Sequence, residues 1–595
     1  MESPTLLSLP TEILTQILNN LSLFAFDKNT SWVEWKSPAE RDLDPTKKTL
    51  QSLRLSSHLL CDLATPLLFS VLRVSFSSES IEAFLQLCKI PGITKHVHGV
   101  TVDLAAYCSE YVEDFSQFAE ERSRQMEING KRLDYEMRSC IQQYGPDHPD
   151  VIDCYRHKRL LDDLIGTWDE EASCRSRQSI IPGQGLPPRG FGQARRSRDK
   201  PRSNPARCEQ YRAALLNSYI EYSRRYRDQI ENATNFQLVA SIASAIASLP
   251  CSGKIRFVCE VLGGMNPYNM HRDLTHPRDF LGHPDTILTK AMALPHEWSE
   301  LDKPNYSPKV DIVHLLTALP IAVDKAGGRL TELYLHCFPQ HKGFSSLFPR
   351  NLTINVNKEK LRNACRRLRR FQLGRFDIDP SEGDSMNILG RLDSMEAEDR
   401  VYMDHYIGAA ISSPRLHELS LQFFPFRPFE GMADMSGFNI RTLLKQLRST
   451  QLSCCRIRGF RGRYQEILPL ARALGPGMRI LVIHDAGIVD GSWSTILDRI
   501  RAKVAARCQQ GLCEAILKSL ADENLSFGGE LNVPDILYMN PAQQEAARET
   551  RRLVAESEAY ISGRRDDNPL RREGQDEEDG RSDSDDSFYS IISDE

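Results

Sequence analysis

A short apolar string recurs through most of the chain, with apolar residues at i, i+3 and i+5. Leu330, Leu333 and Leu335 in RLTELYL form the clearest copy. Leu368/Phe371/Leu373, Leu416/Leu419/Leu421 and Met478/Leu481/Ile483 repeat it, and Leu452/Cys455/Ile457 is a degraded version. Val97/Val100/Val102 and Phe69/Leu72/Val74 fit the same template nearer the N-terminus. The i+3 and i+5 residues stand two apart, so they share one face of an extended strand. Several copies follow a helical stretch, so each unit reads as a helix and then a strand. Such a unit buries its apolar face only against neighbours, which points to a stacked array. The best-defined C-terminal copies start 26 to 48 residues apart, so the array is irregular. The competing reading is an ordinary α/β domain in which the strings are coincidental.

Composition leaves room for such an array. Of 595 residues, 41% are hydrophobic and 26% charged, a balance that can bury a core. Lys plus Arg number 75 against 80 Asp plus Glu, a formal net charge of −5. That total argues against a wholly basic nucleic-acid binder and a wholly acidic chaperone. It conceals two opposite segments. Residues 174–208 hold nine Arg or Lys and one Asp, with five Pro and four Gly; they read as a basic disordered linker. Residues 576–595 hold nine acidic side chains and one Arg; they read as an acidic disordered tail. Within the tail, Ser582, Ser584 and Ser587 suit an acidophilic kinase.

No run of 18 apolar residues occurs, so no spanning helix and no membrane partner are expected. The start, MESPTLLSLPTEIL, lacks the basic region of a secretory signal. The 15 cysteines are scattered without a C-x-x-C. Reduced thiols in the cytoplasm and/or nucleus are therefore expected rather than a disulfide framework.

Five regions are expected along the chain. Residues 5–75 form a helical block with a loop insertion at 23–48. Residues 76–173 hold a first repeat-like strand and a polar helical insertion, solvated and broken near Gly145-Pro146. The basic linker at 174–208 follows. The repeat array spans 209–540 and opens on a helix with Tyr211, Leu215, Tyr219, Tyr222 and Tyr226 along one face. Residues 541–595 are helix-prone, then acidic.

In the first block, residues 6–21 place Ile13, Leu14, Ile17, Leu18 and Leu21 on one helical face. Pro10 sits in the first turn, where its missing N–H costs nothing, and Glu12 meets the positive end of the dipole. A second apolar block follows at 50–74. The string Leu9-Pro10-x-Glu12-Ile13-Leu14-x-x-Ile17-Leu18-x-x-Leu21, with Leu53-Arg54-Leu55 and the run from Asp62 to Phe69, resembles an F-box. The repeated strings downstream resemble the leucine-rich-repeat domain that many F-box proteins carry. Two departures stand out: the 23–48 insertion separates the halves, and His58 replaces a usual basic residue.

The resemblance implies an α/β (α+β) chain of F-box helices followed by an irregular leucine-rich-repeat-like solenoid. It implies a noncatalytic substrate receptor of an SCF-type cullin–RING ubiquitin ligase. The F-box would dock on a Skp-type adaptor and, through it, a cullin; the repeat domain would hold a protein substrate of unknown identity. The alternative is a scaffold using the same helices outside any ligase. Adaptor-binding candidates are Leu9, Pro10, Glu12, Ile13, Leu14 and Leu53, with Ile17, Leu18 and Leu21 facing inward. Residues between the apolar anchors alternate away from the core. Tyr334, Gln372, Glu418, Ser420 and Arg456 are the substrate-binding candidates among them.

Motifs for chemistry are missing. No G-x-x-x-x-G-K-[ST], G-x-S-x-G or H-E-x-x-H occurs. In HEWSEL, after His296, Glu300 stands where a zincin needs its second His. His271, His276 and His283 have no Cys pair beside them to complete a zinc site. His336, Cys337 and His341 end one strand, and His484-Asp485 end another without a nucleophile motif. No catalytic residue, metal or cofactor is expected. The linker offers a nuclear-import signal at Arg195–Lys200 but no regular aromatics for stacking bases, so nucleic acid is not the expected partner.

Overall fold

In the computed structural model of the chain, all seven apolar strings place their i+3 and i+5 residues on parallel β-strands. The structure describes residues 10–20, 24–26, 33–35, 43–178, 204–250, 253–259, 288–296, 298, 311–339, 344–348, 354–374, 397–423, 438–488, 492–521 and 541–570. The chain is a mixed α/β protein that divides into two units. The first comprises Met1–Cys365 with Met386–Tyr406, the second Arg366–Ser385 with Ile407–Glu595.

The first unit begins with helix α1 (Thr11–Asn20). Strands β1 (Phe24–Phe26) and β2 (Val33–Trp35) then pair antiparallel, followed by α2 (Leu43–Ser56) and α3 (His58–Phe69). The 23–48 segment is therefore not all loop: it holds a strand pair and the first turns of α2. Ser57 separates α2 from α3 with an extended backbone, and its hydroxyl accepts from Leu60 N at 3.2 Å. This cap satisfies one orphan N–H and lets the second helix start at once.

Helix α3 feeds β3 (Val71–Ser75) through Ser70. Strand β3 pairs in parallel with β4 (Gly99–Asp103), β4 with β5 (Lys254–Val258), and β5 with β6 (Glu332–Leu335). Strand order in this unit is chain order. The register aligns Leu72, Val100, Ile255 and Leu333 in one row and Val74, Val102, Phe257 and Leu335 in another. All eight are exposed by 3% or less. Burying two stacked apolar rows is the main stabilising term of such a ladder.

The β3–β4 crossover contains α4 (Ser78–Leu87). The β4–β5 crossover is far longer and includes α5 (Phe115–Tyr144), α6 (Pro149–Gln178), α7 (Pro205–Thr234) and α8 (Phe236–Ser248). Helices α5 and α6 form a hairpin. Gly145, at φ 90°, ends α5 and donates its N–H to Ile141 O at 2.9 Å. The break at Gly145 matches the sequence; full solvation of the two helices does not. Phe118, Met126, Leu133, Val151, Leu161, Leu164 and Trp168 are all buried. The Trp168 indole donates to Tyr211 O on α7 at 2.9 Å. A polar majority masked one thin apolar stripe along each helix. Helices α6 and α7 also take residues from both ends of the expected linker; residues 179–203 lie outside the described ones.

The second unit carries β7 (Arg370–Leu373), β8 (Glu418–Gln422), β9 (Phe438–Asn439), β10 (Cys454–Gly462), β11 (Ile480–Ile488) and β12 (Glu514–Ala521). Strands β7, β8, β10, β11 and β12 pair in parallel in that order, and β9 pairs with the end of β10. Again two apolar rows form. Phe371, Leu419, Cys455, Leu481 and Ala515 align, as do Leu373, Leu421, Ile457, Ile483 and Leu517. All ten are exposed by 8% or less. Helix α9 (Tyr464–Ala473) precedes β11, α10 (Trp493–Gln509) precedes β12, and α11 (Pro541–Ile561) closes the described chain. No helix of the described residues is long and apolar enough to cross a membrane.

Candidate functional site

Two surfaces deserve comparison: the N-terminal helices, and the polar face of the strands. The three helices share a small core. Leu18, Leu50, Leu60, Ala64, Leu67 and Val71 are buried together, with Leu53, Leu63 and Leu68 packed against them. Arg54 ties α2 to α3, donating from Nε to Thr65 Oγ1 at 3.2 Å and stacking 5.4 Å over the Phe69 ring. Such a guanidinium contact adds about 0.5–1 kcal/mol at a partly exposed site.

Around this core, Pro10 and Glu12 are exposed, and Ile13 is 43% exposed. Leu55 at 82% and Leu59 at 40% add two apolar side chains on either side of the Ser57 cap. Leu14 differs from the sequence expectation. It is 1% exposed and faces inward with Leu18, one turn on, so it offers no anchor to a partner. Leu53 likewise spends its side chain on the internal cluster. Leu9 and Leu21 lie outside the described residues, as does the side chain of Ile17. Sequence reasoning missed Leu55 and Leu59. Their signal was RLSSHLL, a cap flanked by leucines that one short core cannot all cover.

The polar face of the strands is partly self-satisfied. Tyr334 is only 6% exposed. Its hydroxyl donates to Glu332 at 3.0 Å, and Arg256 stacks 5.6 Å from its ring. Ser420, in the middle of the second unit's ladder, is also 6% exposed. Neither presents itself outward as alternation alone suggests; Tyr334 is enclosed by Glu332 and Arg256. Glu418 Oε1 accepts from Arg370 at 2.8 Å and from Arg479 at 2.9 Å. Gln372 Nε2 donates to Gly374 O at 2.8 Å. Arg456 is partly exposed on the central strand β10.

A third constellation is buried and structural. Arg122, 2% exposed, lies between the Phe118 and Tyr222 rings at 5.2 and 5.3 Å. It donates to Gln125 Oε1 at 2.8 Å and Leu294 O at 2.9 Å. His296, 1% exposed, packs 5.2 Å from the Tyr111 ring. Burial pushes the Tyr222 phenol far above its usual value. These groups fix the segment around Leu294 and His296 to α5 and α7. His271, His276, His283 and His341 lie outside the described residues.

No family model, no curated protein and no solved structure matches this chain.

Proposed function

We propose that the chain is a noncatalytic substrate-recognition subunit of an SCF-type ubiquitin ligase. Its N-terminal helices dock on a Skp-type adaptor, and its repeat domain binds a protein substrate. The observation that carries this reading is the N-terminal module. It is a three-helix unit with its own small core, and it leaves Ile13, Leu55 and Leu59 exposed beside Pro10 and Glu12. Apolar side chains left open on a small unit suit burial by a partner. Helix α3 then runs through Ser70 straight into β3. That connection suits a receptor that couples a docking module to its recognition domain. Strand order equal to chain order within each unit supports the leucine-rich-repeat-like solenoid. The receptor acts by raising local substrate concentration near the transferring enzyme.

A pull-down with a Skp-type adaptor tests this. Ile13→Asp with Leu59→Asp is expected to abolish capture while the protein keeps its circular-dichroism spectrum. Capture at unchanged strength by the folded double variant would overturn the reading.

One observation favours a second reading. The β1–β2 pair stands between α1 and α2, where an F-box usually has only a few residues. A scaffold using these helices outside a ligase tolerates such an insert more readily. A cullin in the same isolated complex decides for the ligase.

A further inference from the structure

Two thiols meet where α10 hands the chain to β12. Helix α10 ends at Gln509, and two backbone hydrogen bonds close the turn after it. Leu512 N donates to Arg507 O at 2.9 Å, and Gly511 N donates to Cys508 O at 3.0 Å. Gly511, at φ 68°, supplies the left-handed conformation that this double closure needs. Both flanks of the turn are tied to one short stretch before β11. Arg507 Nε donates to Met478 O at 2.8 Å, and Glu514 N donates to Arg479 O at 2.8 Å. Cys508 follows the first tie and Cys513 precedes the second, so the backbone brings the two residues together across the turn. Their side chains are hydrogen-bonded to each other, and the Cys513 thiol also lies 3.7 Å from Glu514 O. Both cysteines are half-buried, open to a small oxidant.

Thiols already in contact need only a small approach to form an S–S bond. Burial, then the contact with Cys508, push the Cys513 thiol up to about 12. Cys513 therefore keeps its proton at neutral pH. The first attack on an oxidant falls to Cys508, because the thiolate is the nucleophile. Its sulfur takes one oxygen from hydrogen peroxide; the O–O bond breaks, leaving a sulfenic acid and a hydroxide that picks up a proton as water. The Cys513 sulfur then attacks the Cys508 sulfur. The S–S bond forms, the S–O bond breaks, and the departing hydroxide takes the Cys513 proton as a second water. Two thiols and one hydrogen peroxide thus give one disulfide and two waters. Cys454 and Cys455 offer no such pair: they are consecutive on β10, so they point to opposite faces, and both are buried.

We infer that Cys508 and Cys513 are a redox pair that a hydroperoxide closes to a disulfide and a thiol reductant reopens, stapling the end of α10 to the start of β12. The staple lies wholly within the second unit and is independent of any adaptor at the N-terminal helices.

The test uses the full-length protein, reduced and then exposed to hydrogen peroxide. Remaining thiols are trapped with N-ethylmaleimide in urea, and the chain is cut with trypsin for mass spectrometry. Cleavage after Arg507 and Lys518 leaves both cysteines on one peptide, residues 508–518. That peptide is expected unlabelled and lighter by two hydrogens than its reduced form, while the peptide holding Cys454 and Cys455 keeps its labels. Dithiothreitol before trapping is expected to restore both labels on 508–518. The oxidised chain is expected to melt about 2–4 °C above the reduced one, and the Cys513→Ser chain is expected to show no such rise. Cys513→Ala replaces Cys513→Ser if the latter fails to fold. Two labels on 508–518 after peroxide overturn the inference, as do sulfinic acids in place of the link or a link between two chains. An equal rise in melting temperature without Cys513 overturns the stapling.

Discussion

Ile13 and Leu14 are neighbours in sequence and opposites in exposure, 43% against 1%. Periodicity put both on the apolar side of α1, and that was as far as one helix viewed alone could be read. Which part of a wide apolar face turns inward depends on where α3 packs, which spacing within α1 does not encode. The same holds for Tyr334, whose alternation points outward while Glu332 and Arg256 enclose it. Burial at single positions has measurable consequences. Leu419 is fully buried in the second ladder, so Leu419→Ala should lower unfolding free energy by about 2–5 kcal/mol in urea titration. Leu512, half exposed before β12, should lose under about 0.5 kcal/mol on the same change. Charge at Glu221 has a pH signature. Hydrogen bonds from Arg224, with Arg225 beside it, hold its carboxyl down at about 2 against an ordinary 4.5. Its stabilisation is therefore present above about pH 4.5 and fades as the pH falls toward 2. The Tm difference between unaltered protein and Glu221→Gln should narrow from pH 5 to pH 3. It should stay small throughout, because solvent screens the pair.

At the scale of elements, apolar spacing located seven strands and missed three of the parallel ones: β9, only two residues long, and β5 and β12. Strand β5 carries Ile255 and Phe257 at the i+3 and i+5 positions, but Ser252 occupies i. In β12, Leu512 occupies i and is exposed, while Ala515 is too small to signal a core position. The pattern fails where a polar or small residue takes one of the three spaced positions. The two strand positions survive because the register demands them. The α5–α6 hairpin turns on one backbone conformation. At Gly145, φ is 90° and no atom lies within 4 Å of where a Cβ would stand. Gly145→Ala meets no steric neighbour, so its whole effect is backbone strain, about 1–3 kcal/mol. Thermal unfolding of that variant measures it. A neutral result would mean that the hairpin relaxes to a different turn.

Across the whole chain, each unit builds its parallel ladder in sequence order, and each pairs charge differently on its polar face. In the first unit Arg73 pairs with Asp103 and Lys254 with Glu332; in the second, Glu418 accepts from both Arg370 and Arg479. The sequence showed the repeating strands and the acidic tail separately. It did not show that the strand register gathers the second unit's arginines into adjacent rows, because those residues are tens of positions apart along the chain. The net charge of −5 likewise says nothing about the location of either sign.

The long β4–β5 crossover has a consequence during synthesis. Strand β4 ends at Asp103, and its partner β5 begins only at Lys254. At about 5–20 residues per second, a ribosome needs roughly 8 to 30 s to deliver the missing strand. Throughout that interval the nascent β4 presents an open edge beside a finished β3. The crossover's helices, α5 to α8 among them, emerge in the meantime. The newborn chain thus carries an adhesive edge for far longer than a ladder with short crossovers would, and a chaperone that shields strand edges has its work concentrated there.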